Sequence, residues 1–336
     1  MGDPLADCEQ VLFARDPRSG ARAIVAVHDT ALGPAFGGIR RRRYPSLDAA
    51  LQDALALARA MTWKCAMAGL PAGGGKIVLL DGDGVDRRAA YELVGEQVEM
   101  LQGRMYTGPD VGTTVADLQV VGTRTRHCAQ QGHGDLGGST ARGVFAALRA
   151  TADHAGVALD GARVLVQGVG AVGRRLCALL HAAGARLLVS DPDAAAVAAV
   201  VDEFGAEAID PAAATATPCD LFAPCALGAV LDLAAAERLP ARAVCGGANN
   251  VLADAAAGRA LHRRGVPVAP DFVANAGGLI HGVLHELRGE SITDAHLDAI
   301  GATTASLLQQ SRRDDVPPGE LALRAAQERV AAARAR

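Results

Sequence analysis

Lysine is nearly absent from this 336-residue chain: of 33 basic residues only Lys64 and Lys76 are lysine, and all the others are arginine. An excess of positive charge is missing too, because 37 acidic residues bring the net charge to −4. General nucleic-acid or membrane-surface binders need such an excess, so neither partner is expected. No C-x-x-C pair occurs among Cys8, Cys65, Cys128, Cys177, Cys219, Cys225 and Cys245. That odd set indicates neither a zinc ribbon nor a disulfide framework, and it fits reduced thiols in an intracellular enzyme. No apolar run approaches membrane-spanning length, and Asp3, Asp7 and Glu9 stand where a signal peptide would be apolar. A soluble cytoplasmic protein is expected.

What is present is ample core material. Half the residues are hydrophobic and 21% are charged, and the length suits about two domains. The two lysines direct attention further. A desolvated ammonium can lose its proton, whereas a guanidinium in a protein effectively cannot, so a site that needs a basic amine cannot accept arginine. Chance drift toward arginine is the bland alternative.

The first half contains one clear strand, 22–28 (RAIVAVH), and one long helix starting near Ser46. Ser46 can cap that helix, and Leu47, Leu51, Ala54, Leu55, Ala58 and Met61 recur at helical spacing toward Lys64. A glycine-rich turn, AGLPAGGG, precedes the strand-like KIVLL. A second amphipathic segment, 86–102, leads into the turn-forming MYTGPDVGTT. Residues 127–139 are polar and glycine-rich and read as a hinge. Beyond them, strands at 163–167, 186–190, 220–223 and 242–246 alternate with Ala-rich helical stretches, the pattern of a parallel sheet covered by helices on both faces.

Within that second half, VLVQGVGAVGRRLCALL reads as strand, glycine turn and helix, with Gly168, Gly170 and Gly173 in G-x-G-x-x-G positions around Ala171 and Val172. The first glycine permits the tight turn, the second lets backbone approach a pyrophosphate, and the third lets helix pack on strand. Asp191 ends the next strand, where an acid bonds both ribose hydroxyls and favours NAD over NADP. The GGGK of the first half is no phosphate loop. Leu70 replaces its leading glycine, and Ile77 replaces the Ser or Thr after the lysine.

Lys64 ends a helix, Lys76 opens a strand, and three glycines between them let the backbone fold back closely. If the two ammonium groups line one cleft, repulsion and burial lower their pKa values and make one a neutral base, while the other holds a carboxylate. Asp110 is a candidate for passing protons. In isolation it also reads as an ordinary turn residue.

These residues sit in motifs that can be recognised. GPAFGGIR, MTWKCAMAGL and GGGKIVLL within 33–81 strongly resemble the glutamate/leucine/phenylalanine/valine dehydrogenase family. The resemblance continues in order through YTGPDVGTT, STARGV, the glycine turn, FAPCALG, GGANNV and VANAGGLI, nearly the whole chain. It implies an α/β fold of two domains with the cleft between them: a substrate and oligomerisation domain at 1–136, and a doubly wound Rossmann NAD-binding domain at 137–318. A C-terminal helix at 319–336 would return to the first domain. The implied reaction is reversible: L-amino acid, NAD and water give 2-oxo acid, ammonium and NADH.

Carried over by motif, Lys76 would be the general base that activates water, and Lys64 would bind the substrate carboxylate. Asp110 would handle protons at the amino group, helped by the Pro109 carbonyl. Gly37 and Gly38 would let backbone approach the substrate, and Arg40 would face the cofactor pyrophosphate. Thr140, Asn249 and Asn275 would surround the nicotinamide and its ribose, with Asn249 also near substrate, and Ala226 and Leu227 would border the adenosine. Phe36, Gly108, Leu279 and Gly282 would line the side-chain pocket. Two glycines there leave room that favours phenylalanine or another aromatic substrate, while Phe36 partly refills it. A leucine or valine dehydrogenase is the alternative, and a catalytically inactive NAD-binding sensor or scaffold is the remoter one. Only Arg40 of the run Arg40 to Arg43 falls in a family motif, and the others read as solvated. His281 and His285 have metal-pair spacing but no third ligand in a recognisable motif, so no metal is expected. A homo-oligomer is expected.

Overall fold

The computed structural model describes residues 7–129, 134–226 and 228–336. They divide into two compact units. The first comprises Met1–Gly134, Gly282–Ser291 and Ala326–Arg336, and the second Asp135–His281 and Ile292–Ala325. Residues 282–291 therefore belong with the first unit, although a division of the sequence at 137 assigns them to the second. The hinge segment 127–139 lies partly outside the described residues, at 130–133, and its last part is helical. Among the described residues no helix is long and apolar enough to cross a membrane.

The first unit runs β1 (Gln10–Arg15), β2 (Arg22–Asp29), β3 (Ala35–Arg42), α1 (Leu47–Met67), β4 (Gly73–Leu80), α2 (Arg87–Met100), β5 (Met105–Pro109) and α3 (Val115–Gly122). Its sheet has the order β1-β2-β4-β3-β5. β2 pairs antiparallel with β1 and β4, while β3 runs parallel to both β4 and β5. Side chains alternate across the sheet, which separates two faces. Val25, Val27, Ile39, Ile77, Leu79 and Met105 pack with Tyr91, Val94 and Val98 of α2 and with Leu118 and Val121 of α3. On the opposite face Ile24, Ala26, Val78 and Leu80 pack under Ala50, Ala54, Leu55 and Ala58 of α1.

Ser46 caps α1 as its sequence requires, its Oγ accepting from Ala49 N at 3.1 Å. The small residues on the buried side of that helix allow it to lie very close to β4. A Cβ added at Gly74 would sit 2.2 Å from Thr62 N and 2.4 Å from Ala58 O. This overturns the turn reading of Gly73, Gly74 and Gly75: they are the first residues of strand β4, where a Cβ would meet the Asp29 carbonyl at Gly73, α1 at Gly74 and Met105 Cε at Gly75. In this unit three strands also escaped the sequence reading, β1, β3 and β5; MYTGP is strand, and the turn begins only after Pro109.

The second unit continues with α4 (Leu136–His154), β6 (Arg163–Gln167), α5 (Gly173–Ala182), β7 (Arg186–Ser190), α6 (Ala194–Phe204) and β8 (Glu207–Ala208). After a short 3-10 turn come β9 (Leu221–Pro224), α7 (Leu233–Arg238), β10 (Ala243–Val244), α8 (Ala255–Arg263), α9 (Asp271–Ala274), α10 (Gly277–Arg288), α11 (Asp294–Asp314) and α12 (Pro318–Arg334). The last part of α10 and of α12 is counted with the first unit. The sheet order is β10-β9-β6-β7-β8 with every pairing parallel, so the chain starts in the middle, winds outward one way and then the other. That is the Rossmann order, and its switch point lies between β6 and β9.

Candidate active site

In the first unit α1 covers β2 and β4 but leaves the β3 and β5 part of the same face to other residues. The parallel registers place Phe36 beside Gly74 and Tyr106, Gly37 beside Thr107 and Gly38 beside Gly108. Phe36, Gly38 and Arg40, Gly74 and Lys76, and Tyr106 and Gly108 thus share one face, and Asp110 follows directly after β5. Three strands deliver the ionic groups. Lys76 is 5% exposed. Its Nζ lies 2.9 Å from Asp110 Oδ2, and the same oxygen accepts from Arg40 Nε at 2.9 Å.

Arg40 also reaches Asp53 of α1, through Nη1 at 3.3 Å, and Tyr44 donates its hydroxyl to Asp53 at 2.6 Å. Two cations and two anions are therefore linked in a chain. Burial pushes the Lys76 ammonium below its ordinary pKa, the Arg40 charge adds to that, and Asp110 opposes it. Burial alone would raise the Asp110 carboxyl, but Lys76 and Arg40 together hold it below the usual carboxylate range. Burial and the Asp53 carboxylate push the Tyr44 phenol up. The acid is thus biased toward its ionised form and the amine toward its neutral one. Arg40, expected at a pyrophosphate, is in this structure engaged by two carboxylates of its own unit.

Backbone crowding explains the glycines around this cluster. A Cβ at Gly37 would sit 1.7 Å from Gly75 O, and one at Gly38 would sit 2.5 Å from the Pro109 carbonyl and 2.9 Å from Asp110 Cβ. Gly38 thus seats the very carbonyl assigned to the amino group. Lys64, half-buried, stands in the last turn of α1. At the positions expected to line the side-chain pocket, a Cβ on Gly108 would meet Ala129 at 3.3 Å, and one on Gly282 would meet the Phe36 ring at 3.5 Å. Phe36 stacks parallel on Tyr106, with ring centroids 6.5 Å apart, and His127 stands edge-on behind Tyr106 at 4.9 Å. Leu279 lies three residues before Gly282 on α10, hence on the same helix face.

The other arginines of the run are not simply solvated. Arg41 donates to Asp81 at 2.6 Å, Arg43 pairs with Asp83, and Arg42 lies over the Tyr44 ring.

In the second unit the glycine turn is built as a dinucleotide needs it. Gly168 has φ +93°, and a Cβ there would lie 2.6 Å from Ala226 N. A Cβ at Gly173 would lie 1.8 Å from Gly168 O, whereas one at Gly170 would meet nothing within 4 Å. The middle glycine therefore faces open space, and the loop through Ala171 and Val172 leads into the N-terminus of α5, where helix amides favour an anion. Asp191 follows β7. One of its oxygens accepts from Val169 N at 2.9 Å and the other from Asp193 N at 2.8 Å, which fixes its carboxylate beside the turn. Gln167 Oε1, Ser190 Oγ and Asn275 Oδ1 are buried without a hydrogen-bond partner. These features fit a bound dinucleotide.

Asn275 Nδ2 donates to Gly247 O, to Ala248 O and to Asn249 Oδ1 at 2.9 Å, so the two asparagines act together. The Thr140 hydroxyl donates to Leu136 O, and Ser139 Oγ lies 2.8 Å from His281 Nδ1. Ala226 is exposed. Leu227 lies outside the described residues.

Sequence reasoning missed Asp53, Tyr44 and Tyr106. The only signal for Asp53 was an acid among the apolar positions of α1. Asp271 was missed as well, and its carboxylate accepts from Val251 N at 3.0 Å next to the asparagine loop.

A parallel sheet in Rossmann order with a glycine cradle, in a chain whose other unit buries a lysine against an aspartate, defines a nicotinamide-dependent oxidoreductase. Residues 8–127 match the model of the Glu/Leu/Phe/Val dehydrogenase dimerisation domain, and 132–205 and 192–335 match that of the glutamate/leucine/phenylalanine/valine dehydrogenase domain. Leucine dehydrogenase of Geobacillus stearothermophilus is 41% identical over 334 residues, 96% of this chain and 91% of that one. Phenylalanine dehydrogenase of Thermoactinomyces intermedius is 36% identical over the same shares of each chain. The crystal structure of L-tryptophan dehydrogenase from Nostoc punctiforme superposes with a TM-score of 0.83 at 34% identity, covering 98% of both chains. The chain belongs to the glutamate/leucine/phenylalanine/valine dehydrogenase family. It is an amino-acid dehydrogenase, acting on CH–NH2 donors with NAD.

Proposed function

We propose that this chain catalyses the reversible oxidative deamination of a hydrophobic L-amino acid to its 2-oxo acid and ammonium, with Lys76 as general base. The buried Lys76 ammonium, held at 2.9 Å by the ionised Asp110, is the observation that carries the reading. NAD supplies the acceptor for the hydride that leaves Cα, and the glycine turn, Asp191, Thr140, Asn249, Asn275 and Ala226 would hold it. Lys64 binds the substrate carboxylate. Asp110 and the Pro109 carbonyl receive the amino group, and Asp110 takes up or returns its protons. Once Cα has become an iminium carbon, neutral Lys76 removes a proton from the attacking water, and the tetrahedral product then expels ammonia. Arg40 keeps Asp110 ionised and biases Lys76 toward the neutral base, so arginine at position 76 could not replace the lysine.

No cation stands at the proposed pocket positions Phe36, Gly108, Leu279 and Gly282 to meet a second carboxylate, which supports a hydrophobic side chain over glutamate. The lack of side chains at Gly108 and Gly282 is the ground for preferring phenylalanine or another aromatic, although Ala129 stands 3.3 Å from where a Gly108 Cβ would be. One observation favours a branched-chain substrate instead: the Phe36 ring occupies the space that Gly282 leaves. Reduction of NAD at alkaline pH across the L-amino acids decides between them. The aromatic reading expects a higher kcat/KM for phenylalanine, and a higher value for leucine or valine refutes it. No turnover with any L-amino acid would refute the reaction itself. The dimerisation-domain match over residues 8–127 supports a homo-oligomer. Seven free thiols support a cytoplasmic setting.

A further inference from the structure

The C-terminal helix grips the connection that joins the two lysines. Arg329 of α12 donates through Nη1 to the carbonyls of Ala66 at 2.8 Å and Met67 at 3.2 Å. These belong to the last turn of α1, where the Ala66 carbonyl also accepts from Gly69 N at 3.2 Å, and a cation there meets the negative end of the helix dipole. Lys64 stands in that same turn. Five residues beyond Arg329, Arg334 donates through Nε at 2.9 Å and through Nη2 to Asp29 Oδ2, a carboxylate with 0% exposure.

Asp29 adjoins the start of β4. A Cβ at Gly73 would lie 1.9 Å from the Asp29 carbonyl, and the other Asp29 side-chain oxygen accepts from Ala31 N at 2.8 Å. One arginine therefore holds the end of α1 and the other the strand end against which β4 begins. Between those points runs the connection 68–72, and Cys65 Sγ adds a contact to Gly73 O at 3.3 Å. Lys64 lies just before the clamped segment and Lys76 just after it.

We propose that Arg329 and Arg334 are positioning residues for amino-acid binding, a strap that sets where Lys64 stands relative to β4 and Lys76. The proposal rests on reading Lys64 as the carboxylate site. A guanidinium suits the task, because its planar fork can serve two neighbouring acceptors with little loss of side-chain freedom. The two arginines touch no reacting atom, so their removal affects substrate binding more than the chemical step.

The test is Arg329→Met, which keeps the aliphatic stem and removes the donors, measured beside Arg329→Lys. The expected result for Arg329→Met is a KM for the amino acid raised about tenfold, the size of a lost charge-assisted hydrogen bond, with kcat within about twofold. NADH binding stays at the parent value, amide exchange at 68–76 accelerates, and Arg329→Lys recovers most of the KM. If Arg329→Met does not fold, Arg329→Gln, which retains one amide donor, is measured in the same way. Unchanged KM and unchanged exchange overturn the strap. So does a parallel loss of kcat, amino-acid affinity and NADH binding together with a lowered melting temperature, which marks a structural role alone. If the parent enzyme turns over no L-amino acid, the proposed reaction fails. Exchange then decides the strap by itself, faster exchange at 68–76 supporting it and parent-like exchange overturning it.

Discussion

The two units build their sites from different materials. In the second, the cradle is mostly backbone: three glycines within six positions, one helix N-terminus and one carboxylate fixed by two amides. In the first, the site is a set of side chains contributed by β3, β4, the end of β5 and α1, and Arg40 and Asp110 are 70 residues apart in sequence. A backbone site is local and tolerates little at a few positions. A side-chain site is assembled by the sheet, and its chemistry depends on how each charge biases the next. The proposed reaction would place hydride acceptance at the first kind of site and proton handling at the second.

Gly170→Ala tests the backbone half most severely. Its Cβ meets no protein atom within 4 Å, so folding and melting temperature should hold while it intrudes on the space proposed for the pyrophosphate. Calorimetric titration is expected to show NADH affinity down by about 100-fold, because close backbone approach to the pyrophosphate is blocked. Unchanged affinity would break the assignment of the cradle.

Asp110→Asn probes the side-chain half. Since Asp110 raises the pKa of Lys76 and burial with Arg40 lowers it, removing the carboxylate lowers the lysine further. A general base works when deprotonated, so rate rises with pH through the lysine pKa. The rising limb of the kcat/KM profile is therefore expected to move to lower pH, while kcat falls by about 10²-fold through loss of proton handling. A limb moved to higher pH would contradict the sign of the coupling.

The smallest effect concerns selectivity. Gly282→Val would push against the Phe36 ring, because its first added atom already meets that ring at 3.5 Å. The ratio of kcat/KM for phenylalanine over valine is expected to fall by about tenfold, with NADH affinity unchanged. An unaltered ratio would remove Phe36 and Gly282 from the pocket.

The same contrast governs what the sequence revealed. Strands β6 and β7 and the glycine turn were legible at their observed bounds, because each signal is contained in a few consecutive residues. Strand β3 was not, since AFGGIRRR mixes glycine and arginine and becomes strand only by pairing with β4 and β5. GGG read as a turn because its true cause, crowding by the end of β2, by α1 and by Met105, is a tertiary fact. Asp53 and Tyr44 carried no local signature, and their place in the charge chain comes from helix α1 lying over the sheet. The lysines were visible only as a scarcity. Arginine fills the structural ion pairs, as at Asp29 and Asp81, and Lys76, the proposed base, is one of the two positions that keep lysine.

The central claim is that Lys76 moves a proton, and Lys76→Arg tests it most directly. Arginine preserves the positive charge beside Asp110 but cannot act as a base. With NADH affinity measured alongside, the account predicts kcat for deamination reduced on the order of 10²–10⁴-fold at every pH and NADH binding at the parent value. Parent-like turnover in the arginine variant would contradict it.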